Sequence, residues 1–283
     1  MSARELLEAA ARSLHAAGVP SPRVDAEELL AHVMGVPRLH LRLAPEPSAD
    51  QQMTFAALVE RRSGREPLQH LLGSAAFRGS VLEVGPGVFV PRPETELLAG
   101  WAVGRLQEAV VAGRVEPVAV DLCTGSGAIA RALADEVPAA QVHAVELSPE
   151  ALGYASRNLI GTGVDLHAGD IAAALPELDG EVDVVVANPP YIPLGEYESV
   201  DIEARAHDPA LALWSGEDGL ATIRVVETAA ARLLRHGGVV GCEHADSQGP
   251  RVVALFGTGR RWRDVRDHVD LLDRPRFVTA TKA

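Results

Sequence analysis

The 283-residue chain is poor in cysteine, with only Cys123 and Cys242. Two thiols argue against a disulfide framework and against a cysteine-built zinc cluster. No apolar run reaches the ~18–20 residues that a bilayer crossing demands. The first residues, Met1-Ser2-Ala3-Arg4-Glu5, bring acidic charge early and no signal-peptide core. A soluble cytoplasmic protein without a membrane partner is the expectation. Lysine is nearly missing, Lys282 being the single one. That bias reads as coding composition and carries no function.

Positive charge is also scarce: 39 acidic against 26 basic residues give a net charge of −13. Residues 1–75 carry 8 basic and 9 acidic side chains, which leaves 18 basic against 30 acidic beyond them. A domain that grips nucleic acid non-specifically needs the opposite sign. The balance weighs against that class, although a local basic groove could still sit within it. What the chain does have is ordinary globular composition, 47% hydrophobic and 23% charged. At this length it holds one large or two small domains.

The N-terminal part reads as helices. Leu6, Leu7, Ala10, Leu14 and Ala17 recur at helical spacing before Gly18. Ser21-Pro22 begins a second helix that ends at Gly35, and a third runs from Ala49 to Arg62. Residues 1–72 are therefore predicted as a small helical bundle. Residues 73–90 read as a linking hairpin, with strands 77–84 and 87–90 joined at Gly85-Pro86-Gly87. Residues 91–283 form the third segment. Within it, strands are predicted at 118–122, 142–146, 164–170, 182–187 and 239–242. Helices are predicted at 128–136, 149–159 and 222–234. The tail, 265–269 and 277–281, suits an antiparallel pair. Alternating strands and helices imply an α/β fold with a doubly wound, mostly parallel sheet.

Asp121-Leu122-Cys123-Thr124-Gly125-Ser126-Gly127-Ala128 lies between the first such strand and its helix. Glycines there let a ligand approach the backbone, and the helix N-terminus offers free N–H groups. Glu146 ends the next strand, where a carboxylate can accept from both hydroxyls of a ribose. The pattern points to a nucleoside-containing cofactor. It also satisfies a loose dinucleotide fingerprint, so a dehydrogenase stays open on this feature alone. A mere tight turn is the plainer alternative, and the spacing of Glu146 weighs against it. Asp170 closes the third strand, where an adenine edge would lie; by itself it reads as an N-cap for a helical stretch from Ile171.

Asn188-Pro189-Pro190-Tyr191 is the sharpest feature. Two prolines end the strand 182–187 and hold Asn188 extended at its carboxyl end. Doubly wound folds bind their ligands at that end. The Asn188 carboxamide can accept one N–H, the Pro189 carbonyl another, and Tyr191 supplies an aromatic wall. Together they suit a planar, weakly nucleophilic –NH2 whose lone pair must be steered toward an electrophile. The methyl of S-adenosylmethionine is the fitting electrophile, and the reaction needs no metal. A proline-stiffened turn with an Asn cap is the plainer alternative.

With these motifs together the chain resembles the HemK/PrmC family, the protein-(glutamine-N5) methyltransferases of peptide chain release factors. The resemblance runs over nearly the whole sequence. It rests on Pro91-Arg92-Pro93-Glu94-Thr95-Glu96, on 121–127, on Asn188-Pro189-Pro190-Tyr191-Ile192, and on Asp208-Pro209-Ala210-Leu211-Ala212-Leu213 with Gly216-Glu217-Asp218-Gly219-Leu220. Gln69-His70-Leu71-Leu72-Gly73 and Glu243-His244 are similar to weaker signatures. The resemblance implies a class I, Rossmann-like methyltransferase fold with S-adenosylmethionine as cofactor. Its substrate would be the Gln of the Gly-Gly-Gln loop in release factors 1 and 2, docked by the N-terminal helices. Carried over by motif, Cys123, Thr124, Gly125, Ser126 and Gly127 would face the methionine part and Glu146 the ribose. Asp170 and Ile171 would flank the adenine, and Asn188, Pro189, Pro190 and Tyr191 would bind the glutamine, with Asn188 also lining the cofactor site. Cys123 departs from the usual glycine, and Glu146 from the commoner Asp.

Other residues read as structural. His70, His207 and His244 are not required by this chemistry. Glu94 and Glu96 could share a metal with Asp121, but capping of a helix near Glu94 and pairing of Arg92 with a carboxylate are expected instead. Arg260-Arg261-Trp262-Arg263 reads as a solvated loop that could at most touch RNA. The competing functions are an adenine-N6 or cytosine-N4 nucleic-acid methyltransferase, a ribosomal-protein glutamine methyltransferase, and a non-catalytic cofactor-binding scaffold.

Overall fold

A computed structural model describes residues 1–198 and 200–283. The chain divides into two compact units, Met1–Ser74 with Asp201–His207, and Ala75–Val200 with Asp208–Ala283.

The first unit is helical. Helix α1 (Ala3–Ala16) starts at a capping box in which Ser2 and Glu5 satisfy each other's backbone N–H. Helix α2 (Pro22–Met34) has proline in its first turn and ends at Gly35, in the left-handed region at φ 65°. Ser48 and Gln51 form a second capping box for α3 (Ala49–Ser63). A short helix, α4 (Leu68–Leu72), follows. Leu14, Leu29, Leu30 and Phe55 fill the core. Arg62 is buried in the same unit. It donates to Asp25 at 2.7 Å and to Glu203 at 2.9 Å. Glu203 belongs to α8 (Ile202–His207), so an ion triad ties this inserted helix to the N-terminal helices.

The second unit begins with β1 (Ser74–Phe77) and β2 (Ser80–Glu83), a two-stranded sheet. The hairpin turn is thus Arg78-Gly79, with Arg78 at φ 50°, and not 85–87. Residues 87–90 are not a strand. Val84, Val88 and Val90 are buried with Ala151, so the stretch expected as a linker packs as part of this unit.

The rest is α5 (Thr95–Val111), β3 (Val118–Leu122), α6 (Ala128–Glu136), β4 (Gln141–Glu146), α7 (Pro149–Asn158), β5 (Asp165–Ala168), β6 (Val182–Ala187), α9 (Ala210–Leu213), α10 (Ala221–Leu233), β7 (Leu234–Glu243), α11 (Gly249–Gly257), β8 (Trp262–Val269) and β9 (Pro275–Lys282). The sheet order is β5-β4-β3-β6-β7-β9-β8. The first five pair in parallel, while β9 runs antiparallel to both β7 and β8. This is the expected doubly wound fold, with an antiparallel pair at its end in which β9 alone runs against the other strands. Every residue of β6 is buried, as suits a central strand covered on both faces.

Three local expectations need correction. Ile171–Ala174 is a turn held by Ala173 and Ala174 N–H on the Asp170 carbonyl, not a helix. Strand β7 starts five residues earlier than expected, because Leu234 already pairs with Val182, ahead of an irregular stretch that ends where Val239 pairs with Val184. Trp262 does not sit in a solvated loop. It begins β8, is buried beside Phe256, and donates to Glu227 Oε1 at 2.7 Å.

Candidate active site

In this sheet the strand order reverses between β3 and β6, which places a ligand crevice at their carboxyl ends. Leu122 and Ala187 are register partners, so the chain leaves neighbouring strand ends at Cys123 and Asn188. The glycine-rich turn and the Asn-Pro-Pro-Tyr motif therefore meet at one edge.

The turn has three residues in the left-handed region: Cys123 (φ 62°), Gly125 (φ 60°) and Gly127 (φ 84°). A Cβ on Gly125 would meet nothing within 4 Å, so the space above the turn is open. Asp121 sits beneath it, fully buried. Its Oδ2 accepts from Thr124 Oγ1 at 2.6 Å and from Ala130 N at 3.0 Å. Its Oδ1 has no hydrogen-bond partner, and neither does the buried Ser126 Oγ. Burial pushes the Asp121 carboxyl up to about 7. An orphaned, buried carboxylate oxygen suits a cationic group of a ligand lying on the turn.

Glu146, at the end of β4, is held by three backbone N–H groups. Oε2 accepts from Gly125 at 2.8 Å; Oε1 accepts from Leu147 at 2.9 Å and Ser148 at 2.8 Å. Burial raises its pKa, opposed by those bonds. One lone pair of Oε2 is left for a ligand hydroxyl. Asp170 is exposed at the end of β5 and accepts from Ala172 N at 2.9 Å. The Ile171 side chain is buried in the main core. Burial raises the Cys123 thiol well above its usual range, which fits a packed residue and no nucleophile.

Around Asn188 a directed chain of hydrogen bonds appears. Glu243, at the end of β7 and fully buried, accepts from Thr95 Oγ1 at 2.8 Å and from Tyr191 OH at 3.2 Å. Thr95 has a single proton, given to Glu243, so it can only accept from Asn188. Asn188 Nδ2 donates to it at 3.1 Å. The amide is thereby oriented, and Oδ1, which makes no hydrogen bond among the described residues, is the free acceptor. Burial pushes Glu243 up to about 7, partly opposed by its bonds and by Arg276, and burial also raises the Tyr191 phenol.

The segments around Arg92 and after Asp208 join this stretch within the same unit. Ile192 bridges to Trp214 in parallel, which joins the Asn-Pro-Pro-Tyr stretch to the segment after Asp208. Arg92 donates to the buried Asp208 carboxylate at 2.7 Å. Arg92 thus pairs with a carboxylate, as expected. Glu94 stands at the N-cap of α5 without a capping bond; Glu96 instead accepts from Arg78 N at 3.0 Å. Among the described residues Glu94, Glu96 and Asp121 do not converge on a shared ion. His244 is buried against Asp267 at 3.1 Å, and in the first unit the His207 ring meets His70 edge-on. Three residues of the site went unassigned in the sequence reading: Asp121, Thr95 and Glu243. Each lies inside a quoted motif, yet the bond from Asn188 to Thr95 spans 93 positions and no local pattern announces it.

Comparison with known proteins adds lineage. The family described as PrmC N-terminal domain matches residues 5–73, and the one described as Methyltransferase domain matches residues 119–206. The chain is 58% identical over 274 residues to a release factor glutamine methyltransferase of Streptomyces coelicolor, covering 97% of this chain and 96% of that one. It is 50% identical over 283 residues to one from Mycolicibacterium smegmatis, covering 99% and 97%. A 4-amino-L-phenylalanine/4-methylamino-L-phenylalanine methyltransferase of Streptomyces pristinaespiralis is 49% identical over 208 residues, covering 74% of this chain and 71% of its own.

Proposed function

We infer the activity from membership: this chain belongs to the release factor glutamine methyltransferase family. We propose that it methylates the side-chain amide nitrogen of the Gln in the Gly-Gly-Gln loop of release factors 1 and 2, with S-adenosylmethionine as donor. The observation that carries the chemistry is the directed chain Glu243–Thr95–Asn188, which leaves one carboxamide oxygen fixed and free.

An amide nitrogen is a poor nucleophile because its lone pair is delocalised into the carbonyl. Asn188 Oδ1 and the Pro189 carbonyl accept its two hydrogens and turn the lone pair out of conjugation. Pro190 stiffens that corner and Tyr191, anchored through its hydroxyl, walls the side chain. The gain comes from orientation and fixed dipoles, without a strong base. S-adenosylmethionine, when bound, supplies a methyl carried on a sulfonium. The residues toward it are Asp121 through the free Oδ1, the turn from Cys123 to Gly127, Glu146 for ribose hydroxyls, and Asp170 with Ile171 beside the base. After transfer, the amide proton passes to water.

The match of residues 5–73 to the PrmC N-terminal domain supports a protein acceptor. In that unit Leu39 and Leu43 lie 86% and 85% exposed on one short 3-10 turn, an apolar edge fit for docking a release factor. A second reading is favoured by the Streptomyces pristinaespiralis relative: an aromatic amine also carries a delocalised –NH2.

The test is transfer of labelled methyl from S-adenosylmethionine to four acceptors in parallel. These are release factor, its Gly-Gly-Gln variant with Gln→Ala, free 4-amino-L-phenylalanine, and an adenine-containing duplex. Label on intact release factor alone is expected. Label on the free amine or the duplex would replace the protein reading. Asn188→Ala should abolish transfer while cofactor affinity stays near wild type; Glu146→Ala should weaken cofactor affinity first.

A further inference from the structure

Away from the crevice, one set of metal-ligating side chains converges among the described residues: His143 on β4 with Asp165 and His167 on the neighbouring edge strand β5. Strand pairing brings them together. His143 is the register partner of Asp165, and His167 lies two residues further on, so its side chain returns to the same face of the sheet. Three atoms meet there. His143 Nδ1 lies 3.3 Å from His167 Nε2, Asp165 Oδ2 lies 3.1 Å from His167 Nε2, and the same oxygen lies 3.5 Å from His143 Nδ1.

We propose that these three side chains form a binding site for a late first-row divalent ion, zinc foremost, that clips the edge strand β5 to β4. The spacing is the first argument. Zinc bonds of about 2.0–2.1 Å at tetrahedral angles put neighbouring donors about 3.3–3.4 Å apart. The three observed separations bracket that value, so the atoms outline one face of a tetrahedron around a common centre. Chemistry is the second argument. Two neutral imidazole nitrogens and one carboxylate suit zinc, cobalt or nickel; magnesium and calcium prefer all-oxygen sets. Rigidity is the third. The ligands stand on paired strands, and the two imidazole rings stack 5.6 Å apart. Side-chain exposure is 16% and 29% for the histidines against 63% for Asp165, so one side of the set faces water. The fourth position is left to water. Glu177, on the short turn Pro176–Leu178, adds negative charge toward His143.

The place of the site gives the ion a purpose. Strand β5 has four residues and a sheet partner on one side only. It leads directly into Gly169-Asp170-Ile171, the stretch assigned above to the base of the cofactor. A clip at Asp165 and His167 holds the start of that segment without touching the reacting groups.

The experiment uses untagged, chelator-stripped full-length protein titrated with Zn²⁺ alone by calorimetry, and with Co²⁺ followed by visible absorption. One ion per chain in the micromolar range or tighter is expected, with the intense bands of four-coordinate cobalt and a rise in Tm. His167→Asn and Asp165→Asn should each weaken binding at least about tenfold and remove the Tm rise. Asp165 is exposed, so its variant tests the site even where His167→Asn folds poorly. Methyl transfer at saturating cofactor should be unchanged in both. No stoichiometric binding, or binding that survives both substitutions, would overturn the proposal; the contacts would then be hydrogen bonds from two imidazoles to one carboxylate.

Discussion

Asn188 is held by Thr95, at the start of α5. Thr95 accepts from the Asn188 amide because it donates its own proton to Glu243, and this fixes the orientation of the carboxamide. Replacing Thr95 by Val keeps the shape and removes the acceptor. Thr95→Val loses the bond to Glu243 as well as the one from Asn188, and the loss of orientation, about 1–2 kcal/mol, corresponds to a roughly five- to thirtyfold fall in kcat. Calorimetry should find cofactor affinity unchanged, and Thr95→Ser should restore the rate. Glu243 makes a pH prediction. Its folded pKa, raised by burial to about 7 from the ordinary carboxyl value of 4.5, favours the protonated form in the native state. Stability is therefore expected to fall as pH rises between these values and to level off above them. Glu243→Gln should flatten part of that slope in urea titrations across the window; Asp121, also raised to about 7, keeps the remainder. Transfer should move the opposite way, rising as Glu243 ionises and compels Thr95 to donate to it. A wild-type rate insensitive to pH through 7 would speak against the directed chain.

At the level of elements, the turn from β3 to α6 carries a local cost. Cys123 takes φ 62°, a conformation that costs an L-residue about 1–2 kcal/mol. The backbone takes a geometry that suits glycine and carries a Cβ there. Cys123→Gly should change stability by no more than about 1 kcal/mol, since relief of strain and added chain entropy oppose each other. Cys123→Val should lower Tm clearly more, because β-branching is poorly tolerated there; equal Tm values for both variants would contradict this account. The elements themselves were largely legible in the sequence. Strands 118–122 and 182–187 and helix 128–136 end where the apolar runs and the glycine or proline breaks say they should. The hairpin turn was missed because Gly85-Pro86-Gly87 is the louder turn signal, whereas Arg78 adopts positive φ without glycine. Trp262 was misplaced because its basic neighbours hide a buried indole bonded to Glu227, 35 residues away.

For the molecule taken entire, the split into two units follows packing more than sequence order. Residues 201–207 lie between two catalytic-unit segments, yet they group with the N-terminal helices through the buried Arg62–Glu203 pair. No periodicity in the inserted helix reveals that pairing, which spans 141 positions. The motifs were more legible than the partnerships, since Asn-Pro-Pro-Tyr and the glycine-rich turn are local, while Thr95 and Glu243 act through bonds that span 93 and 148 positions. The activity stands or falls on where the methyl arrives. The decisive measurement is peptide mass spectrometry of release factor after incubation with this protein and S-adenosylmethionine. One added methyl on the side-chain nitrogen of the Gly-Gly-Gln glutamine is expected, and none with Asn188→Ala. A methyl on another residue, or the same modification made by Asn188→Ala, would contradict the account.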